Sequence, residues 1–422
     1  MIDIQLLRNK PWIFREAARL KGIPFDVDKF LELDRKLRET KAEFENKRAE
    51  QKKLSKEFEQ AKELERSDLL PRLKSLAEEV KQLDRSLINL EKEWQEQLLF
   101  CPNPPLPETP VGKDESENVE IKRWGTPVFS NINHRDILTA FKLLDFESAV
   151  RISGSKFYFM RGQLALLHHA ILQAGIHFLI SKGFELVEPP HLVNEFAMDG
   201  TGYFPLGREQ TYHIDENTKA LFLIGTSEVP LCALYSDKIL NVSDLPIKLA
   251  GYSPCYRREA GSYGKETAGL YRVHQFYKVE QVIICEPDPE RSLEMHELLL
   301  QNSEEFVQAL ELPYRVVLVC TGDLGLGQVY KHDIECWMPS RNAYGETHSC
   351  SSLHSFQSRR LNIKVKRDER VEYVFTLNNT LVASPRILIS YIENHFKDGR
   401  IYLSPVLRKY FEGKEYIDLN SS

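Results

Sequence analysis

Between Tyr256 and Glu280 the chain concentrates residues that could do chemistry. Arg257 and Glu259 precede a loop with glycines at 261, 264 and 269; Arg272, Phe276, Lys278 and Glu280 follow it. The glycines permit tight turns and close approach of a partner. β-Type residues flank the loop, Tyr252 to Tyr256 before it and Arg272 to Ile284 after it, which predicts a β-hairpin with a long charged loop. Alternate side chains of a strand share a face, so Arg257 pairs with Glu259, and Phe276 with Lys278 and Glu280. One surface then offers a guanidinium for phosphate or carboxylate, a carboxylate for an amine, and an aromatic for a planar ring.

Three further groups have chemistry in their spacing. Ser384-Pro385-Arg386 opens an apolar-periodic segment to His395, with Ser384 as N-cap and Pro385 in the first helical position. Arg386 then sits at the positive end of a helix, a site that favours polyphosphate, although an ordinary capped helix reads the same way. In Glu346-Thr347-His348-Ser349, a carboxylate and a hydroxyl three residues apart could ligate a hard cation such as magnesium; a solvated strand edge is the plainer alternative. His348 and Cys350 do not complete a four-ligand set at zinc spacing. Gly225-Thr226-Ser227-Glu228 follows a strand-like Leu221 to Ile224 and by itself passes for a turn or helix cap. Thr321-Gly-Asp-Leu-Gly-Leu-Gly lacks the dinucleotide-binding order and reads as a loop.

The elements that must position these residues fall into two parts. Residues 30–98 are almost free of glycine. Phe30, Leu33, Leu37, Thr40, Phe44, Lys47, Gln51, Leu54, Phe58 and Ala61 recur at spacings of three and four, as do Leu69, Leu73, Leu76, Val80, Leu83, Leu87, Leu90 and Trp94. The pattern predicts an antiparallel helical hairpin, with the second arm starting at Ser67-Asp68 and Pro71 in its first turn. Each arm would be about 45–50 Å long. A proline-rich linker follows from Cys101, and the remaining part begins near Val119. Helices are expected at 163–181 and 290–311, and strands at 184–188, 315–320, 333–338, 346–351 and 371–377. Strands in runs favour an α+β fold with an antiparallel sheet over a doubly wound parallel one. The expected domains are 1–110 and 119–422.

With 422 residues, 42% hydrophobic and 28% charged, the chain suits one or two globular domains. Its net charge of −6 confines any nucleic-acid contact to local patches. Lys41, Lys47, Arg48, Lys52, Lys53 and Lys56 make such a patch on one arm, interleaved with acids. Seven scattered cysteines, with no Cys-x-x-Cys pair, indicate neither a disulfide framework nor a zinc ribbon and suit a reducing, cytoplasmic setting. No apolar run reads as a membrane span, and the first residues lack a signal-peptide core.

Arg257-x-Glu259-Ala-Gly-Ser followed by Arg272-Val-His-Gln-Phe276-x-Lys278-Val-Glu280 resembles motif 2 of the class II aminoacyl-tRNA synthetases, in the wording of the bacterial-type seryl-tRNA synthetases. Asn378-x-Thr380-x-x-Ala383-x-x-Arg386 resembles their motif 3, and Phe184-Glu-Leu-Val-Glu-Pro-Pro190 their motif 1, which forms the dimer interface in class II enzymes. Glu346-Thr-His-Ser349 resembles their ATP-binding strand, and Thr226-x-Glu228 their serine-binding element. With the hairpin in front, the resemblance covers nearly the whole chain. One position departs: Ala268 stands in the motif 2 loop where most of the family has arginine, which weakens the expected loop contact with ATP or the acceptor stem.

The resemblance implies a class II catalytic domain behind a tRNA-gripping coiled coil, a homodimer, and a serine–tRNA ligase that makes seryl-adenylate from L-serine and ATP. The acceptor would be tRNA(Ser), with tRNA(Sec) as a second candidate. It implies ATP contacts from Arg257, Arg258, Glu259, Arg272, Val273, Phe276, Glu346, Thr347, His348, Ser349 and Arg386. Serine contacts would come from Thr226, Ser227, Glu228, Arg257, Glu280, Asn378 and Thr380. Glu346 and Ser349 would hold Mg2+, and no zinc is expected. Arg257, Arg386 and Glu346 would carry the catalytic charge stabilisation, with no protein nucleophile. Two other readings fit fewer of the residues: a paralogue that loads a different carrier, and a non-catalytic coiled-coil binding protein.

Overall fold

The computed structural model describes residues 1–130, 132–216, 219–260 and 269–421. Gly261, Gly264 and Ala268 lie outside the described residues. The chain divides into two compact units. One holds residues 3–19 and 23–102; the other holds residues 1–2, 20–22 and 103–422.

The first unit is helical: α1 (Ile4–Asn9), α2 (Pro11–Leu20), α3 (Val27–Gln60) and α4 (Glu63–Leu98). The last two form the antiparallel hairpin, and the heptad positions are the less exposed ones along both arms. At its base, the buried Asp34 carboxylate accepts two bonds from Arg8 (2.9 and 2.7 Å), one from Arg38 (3.1 Å) and one from the Trp94 indole (3.1 Å). The start of the second arm differs from expectation. It begins at Glu63, so Pro71 lies inside the helix. The Glu65 carboxylate caps the Lys62 amide at 3.2 Å, and this early cap displaces the Ser67-Asp68 signal. A proline inside a helix removes one backbone bond, which the packed stripe on the same arm offsets.

The second unit is built on an eight-stranded sheet: β1 (Val119–Trp124), β2 (Glu185–Val187), β3 (Ile247–Tyr256), β4 (Gln275–Cys285), β5 (Tyr314–Leu318), β6 (Tyr330–Met338), β7 (Ala343–His354) and β8 (Phe375–Ser384). The order is β1-β5-β6-β7-β8-β4-β3-β2, antiparallel except where β2 joins β3 in parallel. The expected strand at 371–377 breaks at Val374: Arg370–Tyr373 belongs to a small separate sheet, and β8 runs on to Ser384. Helices α5 (Gly162–Ser181), α6 (Glu228–Ala233), α7 (Pro289–Ala309) and α8 (Arg386–His395) complete the frame.

Odd-numbered residues of β4, and those of β8 as far as Leu381, turn toward α7. Gln281 donates to the Leu299 carbonyl (3.2 Å) and to Ser303 (3.1 Å), and Asn379 donates to the same two groups at 2.7 and 2.9 Å. Val279, Ile283, Leu377 and Leu381 join the core on that side. Even-numbered residues are left for the opposite face. α5 is long and apolar enough to pass for a membrane span, contrary to the sequence reading. Its Leu167, Ile171, Leu172 and Leu179 are packed in the same core.

Candidate functional site

The open face of the sheet carries a cavity of about 280 Å³. β4 contributes Phe276, Lys278 and Glu280; β8 contributes Asn378, Thr380, Ala383 and Ser384; β7 contributes Glu346, Ser349 and Ser351. Arg257, Glu259, Tyr271 and Val273 enter from the hairpin ends, Thr226 and Glu228 from the turn into α6, and Pro385 and Arg386 from the start of α8. Thr347 and His348 border the cavity from β7.

Two irregularities in strand pairing make this convergence. On β7, Ile334 pairs with His348 while Glu335 pairs with Glu346, so Thr347 is an extra residue. In a regular strand, residues three apart face opposite ways; the bulge at Thr347 brings Glu346 and Ser349 to one face. On β8, Val279 pairs with Val382 while Glu280 pairs with Thr380, so Leu381 is extra and Thr380 and Ala383 share the cavity face. The two bulges meet. His348 Nε2 donates to the Leu381 carbonyl (3.0 Å), and the Thr347 hydroxyl donates to His348 Nδ1 (2.7 Å). Burial lowers the His348 pKa to about 4, so the ring is neutral.

At the phosphate-like end, Arg386 Nη1 donates to the Glu346 carboxylate and to its carbonyl, both at 3.1 Å, and Nε donates to the Tyr271 carbonyl (3.2 Å). The guanidinium lies 4.5 Å from the Tyr271 ring centre. Burial disfavours the Glu346 charge, but Arg386, then Lys331 and Arg257, outweigh it and hold its pKa below the usual carboxylate value. Asp333, cross-strand from Ser349, keeps a buried Oδ1 without a hydrogen-bond partner. These are hard oxygen donors on one face, which fits a Mg2+ that completes its shell with water and phosphate oxygens. Among the described residues, no group of three or more His, Cys, Asp or Glu side chains is arranged to hold a metal.

Arg257 lies over the Phe276 ring at 5.3 Å, and its buried Nε has no partner. Glu259, held at a positive φ of 49°, turns into the cavity and accepts from Arg272 at 3.3 Å. Both residues lie beyond the end of β3, so strand alternation does not place them; the loop does. Ser384 also departs from expectation. It ends β8 with its hydroxyl unpaired, and Pro385 takes the N-cap.

The amino-acid-like end is more enclosed. Glu228 Oε1 accepts from Gln357 (2.7 Å) and Asn378 (2.9 Å). Burial, with the nearby Glu280 charge, raises its pKa to about 7. Glu280 Oε2 accepts from Lys278 (2.8 Å) and from Thr380 (3.2 Å). A side chain on Gly225 would collide with the Tyr203 hydroxyl, so glycine before Thr226 lets this tyrosine close the wall.

Of the residues singled out in the sequence, three do not reach the cavity lining. Arg258 is exposed, because its neighbours Arg257 and Glu259 take the inward positions. Arg272 precedes β4 and is occupied by Glu259. Ser227 is fully buried behind the cavity, its hydroxyl toward the Gly251 carbonyl (3.4 Å). Sequence reasoning missed Tyr203, Tyr271, Gln328, Ser351 and Leu353 as lining residues, and placed Lys278 on the right face without giving it a role. Alternation signalled one of them, Ser351 beyond Ser349; Tyr203 had no local signal.

A seryl-tRNA synthetase N-terminal domain model matches residues 1–105, and a class II tRNA synthetase core domain model (G, H, P, S and T) matches residues 210–395. The serine–tRNA ligase of Deinococcus radiodurans is 41% identical over 423 residues, covering 99% of each chain. The chain belongs to the seryl-tRNA synthetase family. That of Dictyoglomus turgidum is 42% identical, covering 97% of this chain and 98% of the relative. Family members of known structure superpose over the same length. Seryl-tRNA synthetase from Pyrococcus horikoshii, complexed with ATP, gives a TM-score of 0.88 at 35% identity with 99% of both chains covered. The cytoplasmic serine–tRNA ligase from Naegleria fowleri, in complex with AMP, gives 0.85 at 31% with the same coverage. The class II assignment and the α+β architecture expected from the motifs both stand.

Proposed function

We propose that this cavity performs both half-reactions of a serine–tRNA ligase, the activity of the chain's family. The carrying observation is that the motif 2 hairpin points its phosphate-type residues and Glu280 into the same cavity, facing Arg386 and Glu346. In the first step, a serine carboxylate oxygen attacks the α-phosphorus of ATP, the bond to the bridging oxygen breaks, and pyrophosphate leaves with seryl-adenylate formed. In the second, a hydroxyl of the terminal ribose of tRNA(Ser) attacks the seryl carbonyl and AMP leaves.

Arg257 bridges the α-phosphate and the serine carboxylate, a position suited to its unpaired Nε. Phe276 stacks on adenine, Glu259 accepts from the adenine amino group, and Val273 packs beside it. Arg386 clamps the outer phosphates, joined by Arg272 when it releases Glu259. Thr226, Glu280 and Thr380 hold serine, with Glu228 and Asn378 behind them. Catalysis rests on positioning and charge stabilisation. Glu346 and Ser349 would hold Mg2+, which would supply charge neutralisation at the phosphates.

The chain acts as a homodimer through motif 1, a reading supported by exposed Leu186 of edge strand β2 within it and by exposed Leu166 and Ile180 of the preceding helix α5. Seven free thiols support a cytoplasmic setting. The exposed Lys41, Arg48, Lys52, Lys53 and Lys56 on α3 support a grip on tRNA backbone; Lys47 pairs with Glu79 at 2.8 Å. Serine-dependent ATP–pyrophosphate exchange, followed by charging of tRNA(Ser), tests the reading. Absence of exchange overturns it, and exchange without charging moves the second step to another carrier. Charging of tRNA(Sec) in the same assay decides whether it is a second acceptor.

A further inference from the structure

Lys278 is 5% exposed and sits between the two residues expected to hold serine. Its ammonium donates to Glu280 Oε2 at 2.8 Å and to Thr226 Oγ1 at 2.7 Å. An ammonium carries three donors and no acceptor, so it dictates the direction of every bond it enters. Thr226 Oγ1 accepts a second bond, from the Glu228 amide at 3.3 Å. A hydroxyl oxygen has two acceptor positions. Both are taken, and the Thr226 hydroxyl can then only donate to a ligand. Glu280 Oε2 is engaged in the same way, by Lys278 and by Thr380 at 3.2 Å, which leaves Oε1 as the acceptor for a ligand.

We infer that Lys278 is a positioning residue for amino-acid selection: it fixes Thr226 as a donor and Glu280 Oε1 as an acceptor, a polarity that matches a ligand with a hydroxyl beside an ammonium. The inference rests on serine occupying this end of the cavity. Alanine offers nothing to one of the two groups and leaves it unpaired in a buried site. Without Lys278, Thr226 can rotate its proton, one Glu280 oxygen is released, and the site loses its fixed pattern. The neighbouring carboxylates of Glu280, buried, and Glu228, partly buried, are also left with less compensating positive charge.

The test is ATP–pyrophosphate exchange in the full-length chain, with serine and with alanine, for Lys278→Met, Lys278→Arg and Thr226→Val. Lys278→Met raises the KM for serine about tenfold or more and narrows the serine-over-alanine ratio by a similar factor. The KM for ATP stays within about twofold, since the ATP residues are untouched. Lys278→Arg recovers part of the ratio by keeping a buried donor cation. Thr226→Val reproduces the narrowing, and the Lys278→Met/Thr226→Val pair is less than additive. Should Lys278→Met fail to fold, Thr226→Val and Lys278→Arg decide. An unchanged serine-over-alanine ratio in both overturns the inference, as does a parallel rise in the KM for serine and ATP in a folded Lys278→Met chain. Glu280→Gln separates this from the underlying reading. If Glu280→Gln loses serine and Lys278→Met does not, only the role of Lys278 fails; if neither affects serine, the serine pocket itself lies elsewhere.

Discussion

If serine binds as proposed, Glu228 should make that end of the cavity sensitive to pH. Its carboxyl is partly buried and desolvated, with Glu280 adding repulsion, and its pKa rises to about 7 despite the Gln357 bond and the charges of Lys278 and Arg257. Below that value it holds its proton, and above it the carboxylate is free to attract an ammonium. The KM for serine should therefore fall as pH rises from 6 to 8, by about threefold to tenfold, while the KM for ATP changes little. Glu228→Gln should flatten that profile. A serine KM independent of pH in the parent chain would remove Glu228 from substrate binding. Serine's own amine is protonated throughout this window, so the slope reports the protein.

At the scale of elements, the decisive features are two extra residues in the sheet. Thr347 on β7 and Leu381 on β8 break the period of two, and His348 ties the bulges together. Inserting one alanine between Glu346 and Thr347 would move Glu346 one place along the ladder, to the position opposite Cys336, and turn it toward the helix-covered face, away from Arg386. Exchange should drop at least about a hundredfold, the scale of losing a preorganised charge partner. Thr347→Ala keeps the register and should stay within about tenfold of the parent. Equal loss in both variants, with circular dichroism showing both folded, would mean that the facing of Glu346 is not what matters.

For the whole molecule, the division into two compact units lets the two proposed tasks be tested apart. The charged groups assigned to adenylate formation all lie in the second unit, and the basic stripe lies on α3 of the first. Replacing residues 35–95 with a short linker should leave serine-dependent exchange within about twofold and reduce charging of tRNA(Ser) about a hundredfold or more. Charging that survives the deletion would take the tRNA grip away from the arm. Because backbone contacts dominate such a grip, charging by the parent chain should also weaken with salt more steeply than exchange does.

The residues at the motif positions, the heptads of the arms and the β-hairpin were legible because each is a local pattern: fixed types at fixed spacing, or a period of 3.5 or 2. The apolar run of α5 shows the limit of that information, since packing against the sheet, not composition, makes it a core helix. The same limit hid the start of α4, where a cap at Lys62 and Glu65 overrode the stronger-looking signal downstream. Which way Arg258 and Glu259 turn, how Glu346 and Ser349 come to one face, and that Lys278 reaches both Thr226 and Glu280 were decided only by tertiary structure. These depend on strand register and on partners far along the chain, such as Glu335 opposite Glu346 and Thr226 beside Lys278. Register is a property of the pairing between strands and cannot be read from one strand alone.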